Sequence, residues 1–181
     1  MASPSGRRDG VSPIPRVLEA IAGHGPRTLN RRGAWLCTHR GDPTAFVIGP
    51  TELVFNAKSN TLYVASTGDN AIYAIRGAGT TQVDRGTGKI IYQDSKHLHG
   101  PLGLTVAPDG NLIAAQGDAI IADPNQPSEL VEFIAKGEFI GQFSINTGTG
   151  GAFGVATSST RRHFAAVNDN TDSAEIWTVT A

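Results

Sequence analysis

The stretch Gly100-Pro101-Leu102-Gly103-Leu104-Thr105-Val106 has a counterpart on either side of it. Before it stands Gly49-Pro50-Thr51-Glu52-Leu53-Val54-Phe55, and after it Gly151-Ala152-Phe153-Gly154-Val155-Ala156-Thr157. The intervals from Glu52 to Gly103 and from Gly103 to Gly154 are both 51 positions. A fixed period of roughly 40 to 50 residues built from short strands is the mark of β-propeller blades. The pattern predicts an all-β chain, a partial propeller of about three four-stranded blades.

Within each unit the turns are readable. Thr61–Ser66 follows Glu52–Asn56 across the polar turn Ala57-Lys58-Ser59-Asn60, and Thr67-Gly68-Asp69-Asn70 leads into a strand at Ala71–Ile75. After a polar insertion over 77–88, Lys89–Gln93 completes the first unit. In the second unit, Leu104–Ala107 meets Pro108-Asp109-Gly110-Asn111, a strong turn signal, and Leu112–Gln116, Glu129–Ile134 and Glu138–Ile145 follow. The third unit offers strands at Phe153–Thr157, His163–Asn168 and Ala174–Val179. Runs such as Leu53-Val54-Phe55 and Leu112-Ile113-Ala114-Ala115 are apolar on both faces. That suits blades stacked face to face about a channel, with the first strand of each innermost. An ordinary antiparallel sandwich would give no reason for the equal spacing.

The units span about 46–95, 96–146 and 147–181, and residues 1–45 repeat nothing. That first segment holds seven arginines against three acids, a net +4, and five of the ten prolines. The remainder holds eight basic and thirteen acidic residues, a net −5. Such a shift marks a boundary, and a segment rich in Arg, Pro and Gly reads as irregular. Val17–Ala22 suits only a turn or two of helix before Gly23 and Gly25-Pro26.

Composition excludes some partners. With a formal net charge of −1 over 181 residues, nothing calls for nucleic acid or an anionic membrane surface. No apolar run approaches the roughly 20 residues that span a bilayer. No secretory signal is readable, and the lone Cys37 leaves the compartment open. Cys37 lies near His39, a spacing that loosely suggests a thiol beside an imidazole, but it stands in the segment that does not repeat.

In a propeller the loops before each inner strand and between the second and third strands gather on one face. That geometry places His97, His99 and Gly100 with Asp69, Asp118 and Asn168-Asp169-Asn170. We take His97, His99, Asp118, Asn168 and Asp169 as ligand-binding candidates at the channel mouth. The alternating pair His97 and His99 would suit a divalent metal such as calcium or zinc beside carboxylates, though both also suit the solvated side of a loop. Our expectation is no cofactor. Asp69, Asp118 and Asp169 recur in all three units, which points to turn capping. The run 118–126 lacks the alternating acids and central glycine of a calcium loop. Neither a Gly-x-Ser-x-Gly elbow, a phosphate loop nor an HExxH motif is present.

The run Gly100-Pro101-Leu102-Gly103-Leu104-Thr105-Val106-Ala107-Pro108-Asp109-Gly110-Asn111-Leu112 resembles the NHL-repeat propellers, whose blades open with Gly-Pro-x-Gly-Leu-Ala-Val-Asp-x-x-Gly. Leu62-Tyr63-Val64-Ala65-Ser66 looks like their second strand, with Ser66 where Asp is usual. The resemblance covers roughly residues 46–180 and extends to the gluconolactonase (SMP-30-like) superfamily. It implies a fold and little about function, because the shared residues turn and pack the chain. The lactonases' metal-binding glutamate before Gly-Pro has no counterpart, since Ile48 stands there. None of the five histidines falls in a pattern like that of the streptogramin lyases. What remains is a non-catalytic scaffold that binds a ligand or another protein. The alternative is a metal-dependent sugar-lactone hydrolase or a lyase at the channel mouth. Related propellers are often exported.

Three blades leave two apolar blade faces open. The expected stable form is a homodimer completing six blades; otherwise the chain is an aggregation-prone fragment, or the product of a truncated gene.

Overall fold

The computed structural model describes residues 50–178 apart from 118–120, 159 and 161. The basic segment 1–45, with Cys37 and the short helix expected at Val17–Ala22, lies outside the described residues.

Three antiparallel sheets follow one another along the chain. The first is β1 (Pro50–Asn56), β2 (Thr61–Ser66), β3 (Ala71–Arg76) and β4 (Lys89–Tyr92), in that spatial order. The second is β5 (Pro101–Val106), β6 (Leu112–Gln116), β7 (Glu129–Phe133) and β8 (Phe139–Ser144). The third holds β9 (Ala152–Thr157), β10 (His163–Asn168) and β11 (Ser173–Thr178). Each sheet is an up-and-down meander, the form a blade takes when hairpins join successive strands. The inner strands β1, β5 and β9 lie side by side.

Three expected strands, Thr61–Ser66, Leu112–Gln116 and His163–Asn168, match to the residue. The inner strands differ: β5 begins at Pro101, not Leu104. The register explains this. Pro50 pairs with Ser66, Pro101 with Gln116 and Ala152 with Asn168, and an irregularity follows each of these pairs. A strand can open on proline at such a point, because no ladder donor is required of it.

Two apolar layers glue the blades. Between the first and second, Tyr63, Ile72, Tyr92, Leu104, Leu112 and Phe133 are buried together, and the Tyr92 and Phe133 rings stack with centroids 4.6 Å apart. Between the second and third, Ala115, Leu130, Ala152 and Ala166 pack with Phe164 and Trp177. Phe164 stacks on Trp177 at 4.8 Å, and Phe143 of β8 meets both edge-on. The sheets approach closely because glycine stands at the contacts. A Cβ on Gly103 would drive into the β9 backbone, 3.1 Å from Val155 N and 3.2 Å from Gly154 Cα. Gly137, at φ +95°, brings the β7–β8 turn against the Ile91 carbonyl where no side chain fits.

Hydroxyls tie neighbouring inner strands. Thr51 Oγ1 donates to the Pro101 carbonyl at 3.0 Å, and Thr157 Oγ1 donates to the Val106 carbonyl at 3.0 Å. The open side of the third blade carries Ala156, Ala165, Val167, Ala174 and Ile176, with Val167 42% and Ile176 71% exposed.

Candidate functional site

Hydrogen bonds draw the turns at one end of the blades together. Asn70, in the β2–β3 turn, donates to the Asp94 and Leu98 carbonyls (2.8 and 2.6 Å) and accepts from Gly100 N–H (2.7 Å). Gln116, closing β6, accepts from His99 N–H at 2.7 Å and donates to the His97 carbonyl at 2.8 Å. Ser128 Oγ accepts from Gly151 N–H at 2.7 Å and donates to the Gly148 carbonyl. In the third blade Asn168 Nδ2 reaches the Ile145 carbonyl. Each of these buried side chains is partnered, as burial of a polar group requires.

The linker over 93–100 is built on Asp94. Its Oδ1 accepts from the backbone N–H groups of Lys96, His97 and Leu98 at 3.2, 2.8 and 3.1 Å. Its Oδ2 accepts from Tyr92 Oη and meets His97 Nδ1, each at 2.8 Å. Burial works against the Asp94 charge, but bonds from the His97 ring, the His97 and Leu98 backbone and the Tyr92 hydroxyl outweigh it and hold its carboxyl at about 2. Burial, then the bond to Asp94 and its charge, push the Tyr92 phenol well above the usual range.

The expected pair His97 and His99 separates. His97 stacks on Phe139 with centroids 3.9 Å apart. His99 is 2% exposed, and its Nδ1 meets Glu129 Oε2 at 3.1 Å. Their Nδ1 atoms thus face different carboxylates, Asp94 and Glu129. Asn168 is buried and donates to Glu175 Oε1 at 3.0 Å. Asp169 is exposed and opens a single 3-10 turn, Asp169–Thr171. Asp118 lies outside the described residues. Asp69 accepts from Ser66 Oγ at 2.8 Å and Tyr73 Oη at 3.2 Å. Among the described residues, no three His, Cys, Asp or Glu side chains converge to hold a metal.

The residues that shape this end were mostly unmarked by sequence reasoning. Glu129 is fully buried at the start of β7. Its Oε2 accepts from Gln116 Nε2, and its Oε1 accepts from Gln142 Nε2 at 3.2 Å. Asn168 and Glu175 repeat the amide–carboxylate pairing of Gln116 and Glu129 one blade on. One signal was available, a glutamate heading the apolar run Glu129–Phe133, since a charge is buried only when partnered.

Beside Glu129 opens a cleft of about 470 Å³, lined by Lys96, His97, Gln126, Glu129, Phe139, Gln142, Phe143 and Ser144. That is within the roughly 300–1,000 Å³ usual for small-ligand sites. A register shift between Glu132 and Phe133 sets Phe139 opposite Phe133 and Gln142 opposite Val131. Phe133 and Val131 both face the first blade, so Phe139 and Gln142 face it too. Among the described residues, the buried side-chain oxygens Gln126 Oε1 and Gln142 Oε1 have no hydrogen-bond partner.

Among solved structures, the chain is similar to the β-propeller domain of Cps50 (Swd1) from Myceliophteria thermophila, at 17% identity and a TM-score of 0.53. The match covers 73% of this chain and 41% of that one, so the chain spans less than half of that propeller's length. At this identity the likeness establishes a propeller fold. No family model matches the chain, and no curated protein does.

Proposed function

We propose that the protein is a non-catalytic propeller scaffold that binds a ligand or another protein in the cleft beside Glu129 of its second blade. The observation that carries this reading is the cleft itself, about 470 Å³ and lined by both polar and aromatic side chains. Two of its lining residues, Lys96 and His97, belong to the loop before the inner strand β5. A metal-dependent hydrolase has less support, because the two histidines face separate carboxylates. We read the blades as NHL-like from the run that opens at Pro101, the first residue of β5.

The scaffold reading extends to a second copy of the chain. The open face of the third blade and exposed Leu53 (52%) on the first are what a six-bladed dimer would cover.

Saturation-transfer NMR with a mixed library of small cations, anions and sugars tests the binding reading. Ser144 is exposed at the cleft, so Ser144→Trp fills it without disturbing the core. Hits on the wild-type chain should vanish with Ser144→Trp. Hits unchanged by that variant, or no hits, would refute the reading.

A further inference from the structure

The residue directly before the third strand of each blade has a left-handed backbone: Asn70 at φ +48°, Ser128 at +53° and Asp172 at +49°. In the first two blades its side chain holds the start of the next one. Asn70 Oδ1 accepts from Gly100 N–H and Ser128 Oγ accepts from Gly151 N–H, each at 2.7 Å. Those glycines stand 51 positions apart, directly before the inner strands β5 and β9. Asp172 is exposed, and among the described residues no donor reaches its carboxylate. The same period makes Gly49, directly before β1, the matching glycine.

The edge beside Asp172 is open as well. β4 covers β3 and β8 covers β7, whereas among the described residues β11 pairs with β10 alone. Such an edge is a row of unpaired backbone donors and acceptors, a template for one more strand. The sequence holds a segment at the required distance. β4 ends at Tyr92, nine positions before Pro101, and β8 ends at Ser144, eight before Ala152. Counting back from Pro50 by the same amounts ends an outer strand at 41–42, and 37–42 falls where β8 does two periods later. Ile72 pairs with Tyr92 and Leu130 with Phe143; both pairings, carried to the third blade, set Gly41 opposite Ala174. Charge agrees, since residues 1–45 carry a net +4 and Asp169, Asp172 and Glu175 gather at the start of β11. Because β5 lies between β1 and β9, the residues leading into β1 stand across the second blade from β11 of their own copy. In a six-bladed dimer the partner's first blade follows the third, and its leading residues arrive at that edge. We propose that the open edge of the third blade receives residues 37–49 of a second copy, 37–42 adding a fourth strand to β11 and Asp172 accepting from Gly49 N–H. The exchange is mutual, and it rests on the dimer reading.

Disulfide trapping on the full chain tests this, with Cys37→Ser removing the native thiol. Gly41→Cys and Ala174→Cys face each other in the proposed pairing, at a separation that a disulfide spans. Oxidised glutathione should link two chains at least about tenfold faster than in a control. The control carries Lys58→Cys, on the exposed β1–β2 turn, in place of Ala174→Cys. A second pair of variants needs no cysteine. Asp172→Asn copies Asn70 and should keep the wild-type dimerisation constant. Asp172→Gly suits the left-handed backbone but lacks the acceptor, so light scattering should show dimerisation weakened at least about tenfold. A merely structural Asp172 would tolerate glycine. A disulfide closed within one chain, or dimerisation unchanged by Asp172→Gly, would overturn the exchange. A dimer by mass that links no faster than the control would overturn the exchange and leave the dimer standing. A monomer at every concentration would overturn both.

Discussion

The Asp94 carboxylate and the His97 imidazole meet at 2.8 Å, in a loop that the same carboxylate ties to three backbone N–H groups. One side chain thus sets both the linker between the first two blades and the ring that covers Phe139. Asp94→Ala should destabilise the chain by about 2 kcal/mol, since several donors lose their acceptor together. Urea unfolding monitored by circular dichroism measures it.

The same group predicts acid sensitivity. The folded-state value is depressed from the ordinary 3.8 to about 2. Its stabilisation is therefore fully present above about pH 4 and is lost as pH falls from there toward 2. The urea midpoint should drop across that window in the wild type. Asp94→Asn should flatten this part of the drop; a profile parallel to the wild type would assign the acid sensitivity elsewhere.

Gly137 tests how the first two blades meet. Its φ of +95° and its contact with the Ile91 carbonyl leave no room for a side chain. Gly137→Val should cost about 3 kcal/mol through backbone strain and overpacking. Gly103→Ala, against the β9 backbone, should cost about 1–3 kcal/mol. Gly110 has open space where its Cβ would go, but its φ of +98° makes Gly110→Ala a measure of strain alone. Thermal unfolding of the three variants should rank Gly137→Val as the least stable.

Glu129 is an acceptor held by donors from His99, Gln116 and Gln142. Glu129→Gln keeps the shape but turns one oxygen into a donor, so at least one neighbour faces a donor in turn. A loss of about 1–3 kcal/mol is expected. Retained stability would contradict this role for the carboxylate.

The open blade faces predict a mass. Ile176, 71% exposed on the third blade, belongs to the face that a second copy would cover. Light scattering after size exclusion should give twice the 18.9 kDa chain mass, and Ile176→Lys should return it to one chain. A wild-type monomer at all concentrations would contradict the dimer.

How much of this could be read from the chain follows from the physics of each element. The blades were legible because turn residues such as Pro108-Asp109-Gly110-Asn111 and the glycines at 51-residue spacing act locally. The start of β5 at Pro101 was not, since an irregularity in register depends on the partner strand. The site was half legible. Repeat geometry placed His97 and His99 on one loop before an inner strand, yet which carboxylate each imidazole meets depends on packing. Gln126 and Gln142 carried no signal, because an amide becomes informative only once its burial and its missing partner are known.

Backbone amide chemical-shift mapping of the full chain with the hits of the small-molecule library tests the binding account most directly. The account predicts saturable shifts confined to 94–100, 126–129 and 139–144, which surround the cleft. Shifts centred on the third blade, or none at all, would contradict it.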